Sequence, residues 1–232
     1  MIDLFGVSIH EPDVVFTDLG LALLAAYLGW RLWTTRPGAV PRAGAVLMGG
    51  LASAAFWGAV FHAFFPLDTT TTSGFVAWIP VVLSILVAAA TMLELALRVL
   101  LPRLAPRARR AIVAVYSVAF AGVVLLVDES FTSIVRFYVP SLVLLLIGAG
   151  LQAMRSRSAG WGMIAAGLLM SAGAAVLQQA GVAIHPDYFD HNAVYHVLQG
   201  IALVLLYFGF RMIPEPAARV YAAGANPASR PG

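Results

Sequence analysis

The 232-residue chain contains no cysteine and no lysine, and only 11% of its residues are charged. The absence of cysteine excludes disulfides, thiolate nucleophiles, zinc–sulfur clusters and c-type haem attachment. The absence of lysine excludes a retinal Schiff base, because the aldehyde needs a lysine amine. Soluble domains carry roughly one-quarter charged residues, so the composition also excludes a soluble protein.

Hydrophobic residues make up 61% of the chain and are concentrated in seven apolar segments. Each segment is long enough to cross a bilayer, which takes about 20 residues of helix. The predicted spans cover approximately residues 15–33, 44–65, 75–100, 111–127, 134–154, 160–184 and 193–212. We therefore predict an all-α integral membrane bundle of seven helices over residues 1–212, with no second globular domain.

The charges are divided unequally between the two sides of this predicted bundle. Thirteen of the fourteen arginines border one side, and nine of the eleven acidic residues border the other. The positive-inside rule makes the arginine-rich side cytoplasmic, which predicts an N-terminus outside and a C-terminus inside. The basicity therefore indicates topology, and no nucleic-acid partner is expected. The lysine-free, arginine-rich composition indicates a high-GC bacterium and hence its plasma membrane.

The two ends of the chain carry no predicted chemistry. Residues 1–13 lack a basic n-region, so we interpret them as a short outer arm and not as a signal peptide. Residues 213–232 contain four prolines and no apolar period, which predicts a disordered cytoplasmic tail.

Near the cytoplasmic side, Glu94 and Arg98 are four residues apart and are expected to form a structural ion pair.

All five histidines are predicted to lie at or near the outer end of the bundle, where ionisable residues are functional candidates. The second span carries small residues at four-residue spacing that continue into a histidine: Gly50, Ala54, Gly58 and His62. Such a stripe lets another helix approach closely, so His62 is expected to point into the bundle. It is either a lone histidine bonded to a backbone carbonyl or a metal ligand.

The seventh span opens with His191 and His196. They are five residues apart, about 140° around a regular helix, so they converge on one ion only if the first turn is irregular. Asp190 is expected to cap the N-terminus of this helix. Gln199 lies one turn below His196 and is expected to orient its imidazole.

Three imidazoles and a water molecule are what a catalytic zinc requires, and zinc lowers the pKa of its bound water to about 7. His62, His191 and His196 are therefore the predicted zinc ligands. Asp18 in the first span and Asp68 after the second are the candidate catalytic carboxylates. Each is a general base, a residue that orients a ligand, or a solvated loop charge.

Three further polar residues are assigned to the outer end. Gln178 and Gln179 lie in the outer part of the sixth span, and at least one should face inward, because an amide in lipid lacks partners. Arg136 begins the fifth span. It is expected either to pair with Asp128 or Glu129, or to receive an anionic lipid headgroup.

With one histidine near the end of helix two and two that open helix seven, the chain resembles the CREST superfamily of membrane hydrolases. This group includes the alkaline ceramidases and the progestin and adiponectin receptors. Val60-Phe61-His62 matches the helix-two position, and residues 191–211 look like the helix-seven signature. Gly58 stands where the family has a serine, four residues instead of three separate the paired histidines, and the third span has no aspartate.

The resemblance implies zinc held at the outer face by the three histidines. It also implies that a zinc-bound hydroxide attacks the amide or ester of a lipid-like substrate drawn from the outer leaflet, with Asp68 replacing the family's aspartate. A non-enzymatic sensor, receptor or scaffold of the same fold, with or without metal, is the alternative. A haem protein is the third possibility, since histidines on two helices could supply axial ligands.

Overall fold

The structure is a computed structural model that describes residues 1–4, 6–65, 69–185 and 188–214. Seven helices make up most of these residues: α1 (Pro12–Thr35), α2 (Ala39–Phe64), α3 (Thr72–Leu100), α4 (Pro106–Leu126), α5 (Phe131–Ser156), α6 (Ala159–Gln179) and α7 (His191–Met212). All seven are long and apolar enough to cross a membrane. At about 1.5 Å per residue, even 21 residues reach about 30 Å, the thickness of a hydrocarbon core. The predicted seven-helix architecture is confirmed.

Local sequence signals set several helix ends. Thr71, Ser130 and Ser158 cap α3, α5 and α6 by accepting the backbone N–H three residues on. The sixth helix ends at Gln179, whereas the predicted span runs to residue 184. The chain leaves the helix there because Gly181 adopts a φ of +69°, which residues with a side chain rarely do. Residues 215–232 of the predicted tail lie outside the described ranges.

The N-terminal segment, expected to be a simple arm, forms an antiparallel hairpin of β1 (Ile2–Leu4) and β2 (Val7–Ile9). Gly6 makes the tight turn possible with a φ of +83°, and its N–H donates to Asp3 Oδ1 at 2.8 Å. The second strand packs against α2. The hairpin therefore lies where α1 begins and α2 ends, which we call the N-terminal end of the bundle.

Three helices, α1, α2 and α7, pack against one another and form one corner of the bundle. Small residues let the helices approach closely. At the crossing of α6 and α7, a Cβ on Gly209 would lie 2.9 Å from the carbonyl oxygen of Gly160, too close for any side chain. The core that fills the bundle is mainly aliphatic.

The small-residue stripe on α2 faces two neighbouring helices, as expected for close approach. A Cβ on Gly50 would lie 3.0 Å from the backbone oxygen of Ser84 on α3. A Cβ on Gly58 would lie 3.0 Å from Oδ2 of Asp18 on α1. The absence of a side chain at Gly58 therefore leaves room for a buried carboxylate.

Helix α4 is peripheral, since Phe120 and Val124 are its buried residues. An ion pair between Arg109 and Glu94 attaches it to α3 at the end of the bundle opposite the hairpin. Oε1 of Glu94 lies 2.5 Å from Nε of Arg98 and 2.9 Å from Nε of Arg109. The predicted pair of Glu94 and Arg98 is confirmed, and α4 supplies a second arginine that the spacing did not predict.

Candidate functional site

The start of α7 is fastened to the start of α1. Asp190 caps α7, because its Oδ1 accepts the N–H groups of Asn192 at 2.8 Å and Ala193 at 2.9 Å. Its own N–H donates to Oδ2 of Asp13 at 3.1 Å. The predicted N-cap is confirmed, and the contact with Asp13 brings the N-terminal turns of both helices together.

His196 lies between two adjacent side chains of α1. Its Nε2 is 3.1 Å from Oδ1 of Asp18, and its Nδ1 is 3.0 Å from Oγ1 of Thr17. The side chains of His196 and Asp18 are only 10% and 6% exposed. Both nitrogens of a buried imidazole are therefore engaged by α1.

The contacts of His196 limit which of its ring nitrogens can carry a hydrogen. When the Thr17 hydroxyl donates to the Asp13 carbonyl, 2.8 Å away, its oxygen accepts from Nδ1–H. The contact of Nε2 with Asp18 then needs another proton, because an imidazole lone pair facing a carboxylate is repulsive. When the hydroxyl instead donates to Nδ1, the imidazole carries its hydrogen on Nε2 and donates to an ionised Asp18. The contacts are thus compatible with two hydrogen-bonding arrangements that differ by one proton.

His62, in the last turn of α2, lies at the same end. Its Nδ1 pairs with Oε2 of Glu11, the residue before α1. Beside it, the N–H of His10 donates to the carbonyl of Ala63 at 3.2 Å. His62 also interacts electrostatically with Asp18. The partner of His62 is therefore a carboxylate and not the backbone carbonyl considered above. His62 belongs with His196 to a group of side chains that we call the acid–histidine cluster: Glu11, Asp13, Thr17, Asp18, His62, Asp190 and His196.

The three predicted zinc ligands do not come together. His191 has a 43% exposed side chain whose Nδ1 lies 3.8 Å from Oδ2 of Asp190. The first turn of α7 is regular, with the N–H of Val194 bonded to the Asp190 carbonyl, so His191 and His196 stay on different faces. Over the described ranges, no group of three histidine or acidic side chains could hold a metal ion. The set His62, His191 and His196 does not fit zinc in this arrangement.

Gln199 does not have the predicted role of orienting His196. It is 4% exposed, and among the described residues its Oε1 has no hydrogen-bond partner. Thr17 and Asp18 hold the imidazole instead, because α1 packs directly against this face of α7. The spacing of one helical turn between His196 and Gln199 did not predict the partner of the imidazole, because the partners come from a different helix.

One of the two glutamines of the sixth span faces its neighbouring helix. Nε2 of Gln178 donates to Oδ1 of Asn192 in the first turn of α7 at 2.8 Å. Gln179 is exposed, and its Nε2 lies 3.5 Å from Oε1 of Gln178. Gln178 thus meets the expectation that at least one of the two faces inward.

Arg136 is exposed, and its Nη1 lies 3.9 Å from Oδ2 of Asp128, one of its two expected partners. The Ser133 hydroxyl and hydrogen bonds from Ser130 hold the pKa of Asp128 below its usual 3.8, and Arg136 contributes less. This ion pair belongs to the α4–α5 connection. Asp68, the other candidate catalytic carboxylate, lies outside the described residues.

Three residues of the cluster were missed by the sequence analysis: Glu11, Asp13 and Thr17. A signal for Thr17 was present, since it stands next to Asp18 as a polar pair inside an otherwise apolar span. Glu11 and Asp13 flank the proline that starts α1, where acidic residues are also common for reasons of helix capping alone.

A groove of about 420 Å³ runs between α1 and α7 away from the cluster. Thr17 and His196 line one end of it, and the rest of its lining is aliphatic or glycine. His196 and Thr17 therefore border an open, apolar surface groove.

A family model described as a family of unknown function, DUF6962, matches residues 14–215. The match includes Thr17, Asp18, His62 and His196 and almost the whole of the seven helices. No curated protein and no solved structure matches the chain.

Proposed function

The chain belongs to the DUF6962 family, and we propose that it is a non-enzymatic, multi-pass membrane sensor that responds to protons. The observation that carries this proposal is the buried contact of His196 with Asp18 and Thr17. A histidine–carboxylate pair is costly to bury in a membrane segment, so it marks a function. Histidine is also the side chain whose charge changes most readily near neutral pH.

The surface of the helices supports insertion into a membrane. In each helix, at most 50% of the most apolar stretch is buried inside the bundle. Large apolar side chains such as Leu23, Val118 and Met154 point outward. Soluble monomers rarely expose apolar surface of this extent. Under the positive-inside rule, the arginine-rich opposite end supports a cytoplasmic position for that end and an outer position for the acid–histidine cluster, and the composition favours a bacterial plasma membrane.

The proposed switch works through the hydroxyl of Thr17. With the shared proton bound, this hydroxyl donates to the carbonyl of Asp13 and accepts from the imidazole. When the proton leaves, the hydroxyl turns to the imidazole, and Nε2–H donates to the Asp18 carboxylate. The Asp13 carbonyl then loses its hydrogen bond from Thr17. The side chain of the same residue accepts the N–H of Asp190, the residue that caps α7. The change therefore reaches the start of α7.

The pair of His62 and Glu11 gives the cluster a second connection. It joins the residue before α1 to the last turn of α2, next to the hairpin. This contact is strongest when the His62 imidazole is protonated, because it then joins opposite charges. The N-terminal segment is thus the part of the chain whose attachment should report on pH.

A zinc-dependent lipid hydrolase, as the CREST resemblance implies, is the competing proposal. The described residues do not assemble its ligand set, so we derive no step through zinc. Elemental analysis of the purified protein separates the two. Stoichiometric zinc that is lost in His62→Ala supports the hydrolase, whereas a zinc-free protein with an intact pH response supports the sensor. A haem protein would show a Soret absorption band.

Hydrogen–deuterium exchange at a series of pH values tests the sensor. The protein is reconstituted in lipid nanodiscs, and rates are corrected for the intrinsic pH dependence of amide exchange. We expect protection of residues 6–17 and of the first turn of α7 to change together with pH. Asp18→Asn should abolish this change, whereas Glu94→Gln, a matched acid at the opposite end, should retain it. A pH response that survives in Asp18→Asn would contradict the proposal.

A further inference from the structure

The groove between α1 and α7 is apolar and has one polar end, at Thr17 and His196. Its walls are aliphatic side chains from both helices: Leu21, Leu24, Val197, Ile201 and Val204. A Cβ placed on Gly20, at the groove, would meet nothing within 4 Å, so the groove is open there. Its volume of about 420 Å³ falls within the roughly 300–1,000 Å³ of small-molecule sites.

The charge at the polar end is negative. The N-terminal turns of α1 and α7 bring the carboxylates of Asp13 and Asp190 close to this end, and Asp18 lies behind His196, although none of the three lines the groove itself. The imidazoles beside these carboxylates are those of His62, His191 and His196. With Glu11, the partner of His62, four carboxylates face these three imidazoles, so the acids outnumber them even when all three imidazoles are protonated. The chain has no lysine, and the arginines of these two helices lie in their C-terminal halves. A bound cation would therefore be attracted, and a bound anion repelled.

A second groove on the bundle has no polar end and can be compared with the first. It lies between α6 and α7, has a volume of about 470 Å³, and is lined by apolar residues throughout, including Gly173. A Cβ on Gly173 would also meet nothing within 4 Å. This groove matches the first in size and openness but has no charged end, so it serves as an internal control.

We propose that the α1–α7 groove binds a single-chain amphiphile with a cationic headgroup. The ammonium lies just beyond Thr17 and His196, on the side of Asp13, and the alkyl chain follows the aliphatic walls. This inference rests on the proposed function, because the headgroup lies at the proton-sharing pair. A cation held there favours the state that has lost the shared proton, so binding and proton release promote each other.

Photolabelling in phosphatidylcholine nanodiscs tests this site. The probe is hexadecylamine with a diazirine in its chain, compared with the corresponding carboxylic acid and alcohol. We expect the amine to label α1 and α7 most strongly. Gly20→Leu should lower this labelling about tenfold, since about two methylene groups lose their burial. Gly173→Leu should leave it unchanged.

A second variant keeps the test decisive if Gly20→Leu folds poorly. Asp13→Asn should lower labelling by the amine but not by the alcohol. Equal labelling by amine, acid and alcohol, or full labelling of Gly20→Leu, would overturn the inference. Loss of the pH response alone, with amine labelling intact, would instead overturn the sensor and leave the binding site standing.

Discussion

Alanine substitution of Asp18 is expected to leave an imidazole nitrogen buried without a partner. Nε2 of His196 lies 3.1 Å from Oδ1 of Asp18, and the histidine side chain is only 10% exposed. Water therefore cannot readily replace the carboxylate. Removing one partner of a buried pair costs about 3–5 kcal/mol. We expect Asp18→Ala to lower the free energy of unfolding by about 3 kcal/mol, because Thr17 still holds the other nitrogen.

A double-mutant cycle separates this contact from the loss of packing. Asp18→Ala and His196→Ala each remove one side, and the double variant removes both. If the pair is coupled, the double variant should be only slightly less stable than either single one, with a coupling energy of about 2–3 kcal/mol. Reversible unfolding by steric trapping in bicelles at neutral pH measures each free energy.

The control pairs Asp18→Ala with Glu94→Ala, whose ion pairs lie at the opposite end of the bundle. Distant changes add to within about 0.5 kcal/mol, so this cycle should show no coupling. If the effects of Asp18→Ala and His196→Ala add equally well, the buried pair does not exist as described.

Three further predictions concern other parts of the bundle. Gly58→Ala should destabilise the protein by about 1–3 kcal/mol, since its Cβ would lie 3.0 Å from a buried carboxylate oxygen, whereas Gly49→Ala, with nothing within 4 Å, should stabilise it slightly. Equal thermal midpoints for the two variants would refute this packing. Arg109→Ala should lower the free energy of unfolding by about 1.5–3 kcal/mol and Arg98→Ala by about 0.5 kcal/mol or less, because their side chains are 14% and 39% exposed. The reverse order would contradict the role of Arg109 in holding α4. Hydrogen bonds lower the pKa of Asp128 in the folded state, so its ionised side chain stabilises the folded protein. This stabilisation is complete above the ordinary pKa of 3.8 and is lost as the pH falls below that value. Asp128→Asn should therefore lose less stability than wild type on acidification below that value, as followed by thermal melting.

The features that could be predicted from the sequence depend on residues close together in the chain. Hydropathy over about 20 residues is sufficient to define a span. The cap by Asp190 and the pair of Glu94 and Arg98 involve neighbours within one helical turn. By contrast, 179 residues separate Thr17 from His196. Their contact depends on the rotation of α1 against α7, which no local spacing determines.

The predicted metal set shows how proximity to one end of a bundle differs from convergence on a point. The five-residue spacing already placed His191 and His196 about 140° apart, and the regular first turn of α7 keeps them so. His62 does lie near the cluster, but its Nδ1 pairs with Glu11, a residue outside the spans. The histidines were thus correctly assigned to one end, while their partners came from α1 and the segment before it.

The most direct test of the shared proton is nuclear magnetic resonance of isotope-labelled histidine in the reconstituted protein, with His196 assigned by the signal missing from His196→Gln. As the pH rises, we predict that the hydrogen on Nδ1 is lost while Nε2 keeps a hydrogen bonded to Asp18. Thr17→Val should prevent this change, because valine cannot donate to Nδ1. A single hydrogen position on His196 at every pH, unaffected by Thr17→Val and Asp18→Asn, would contradict the account.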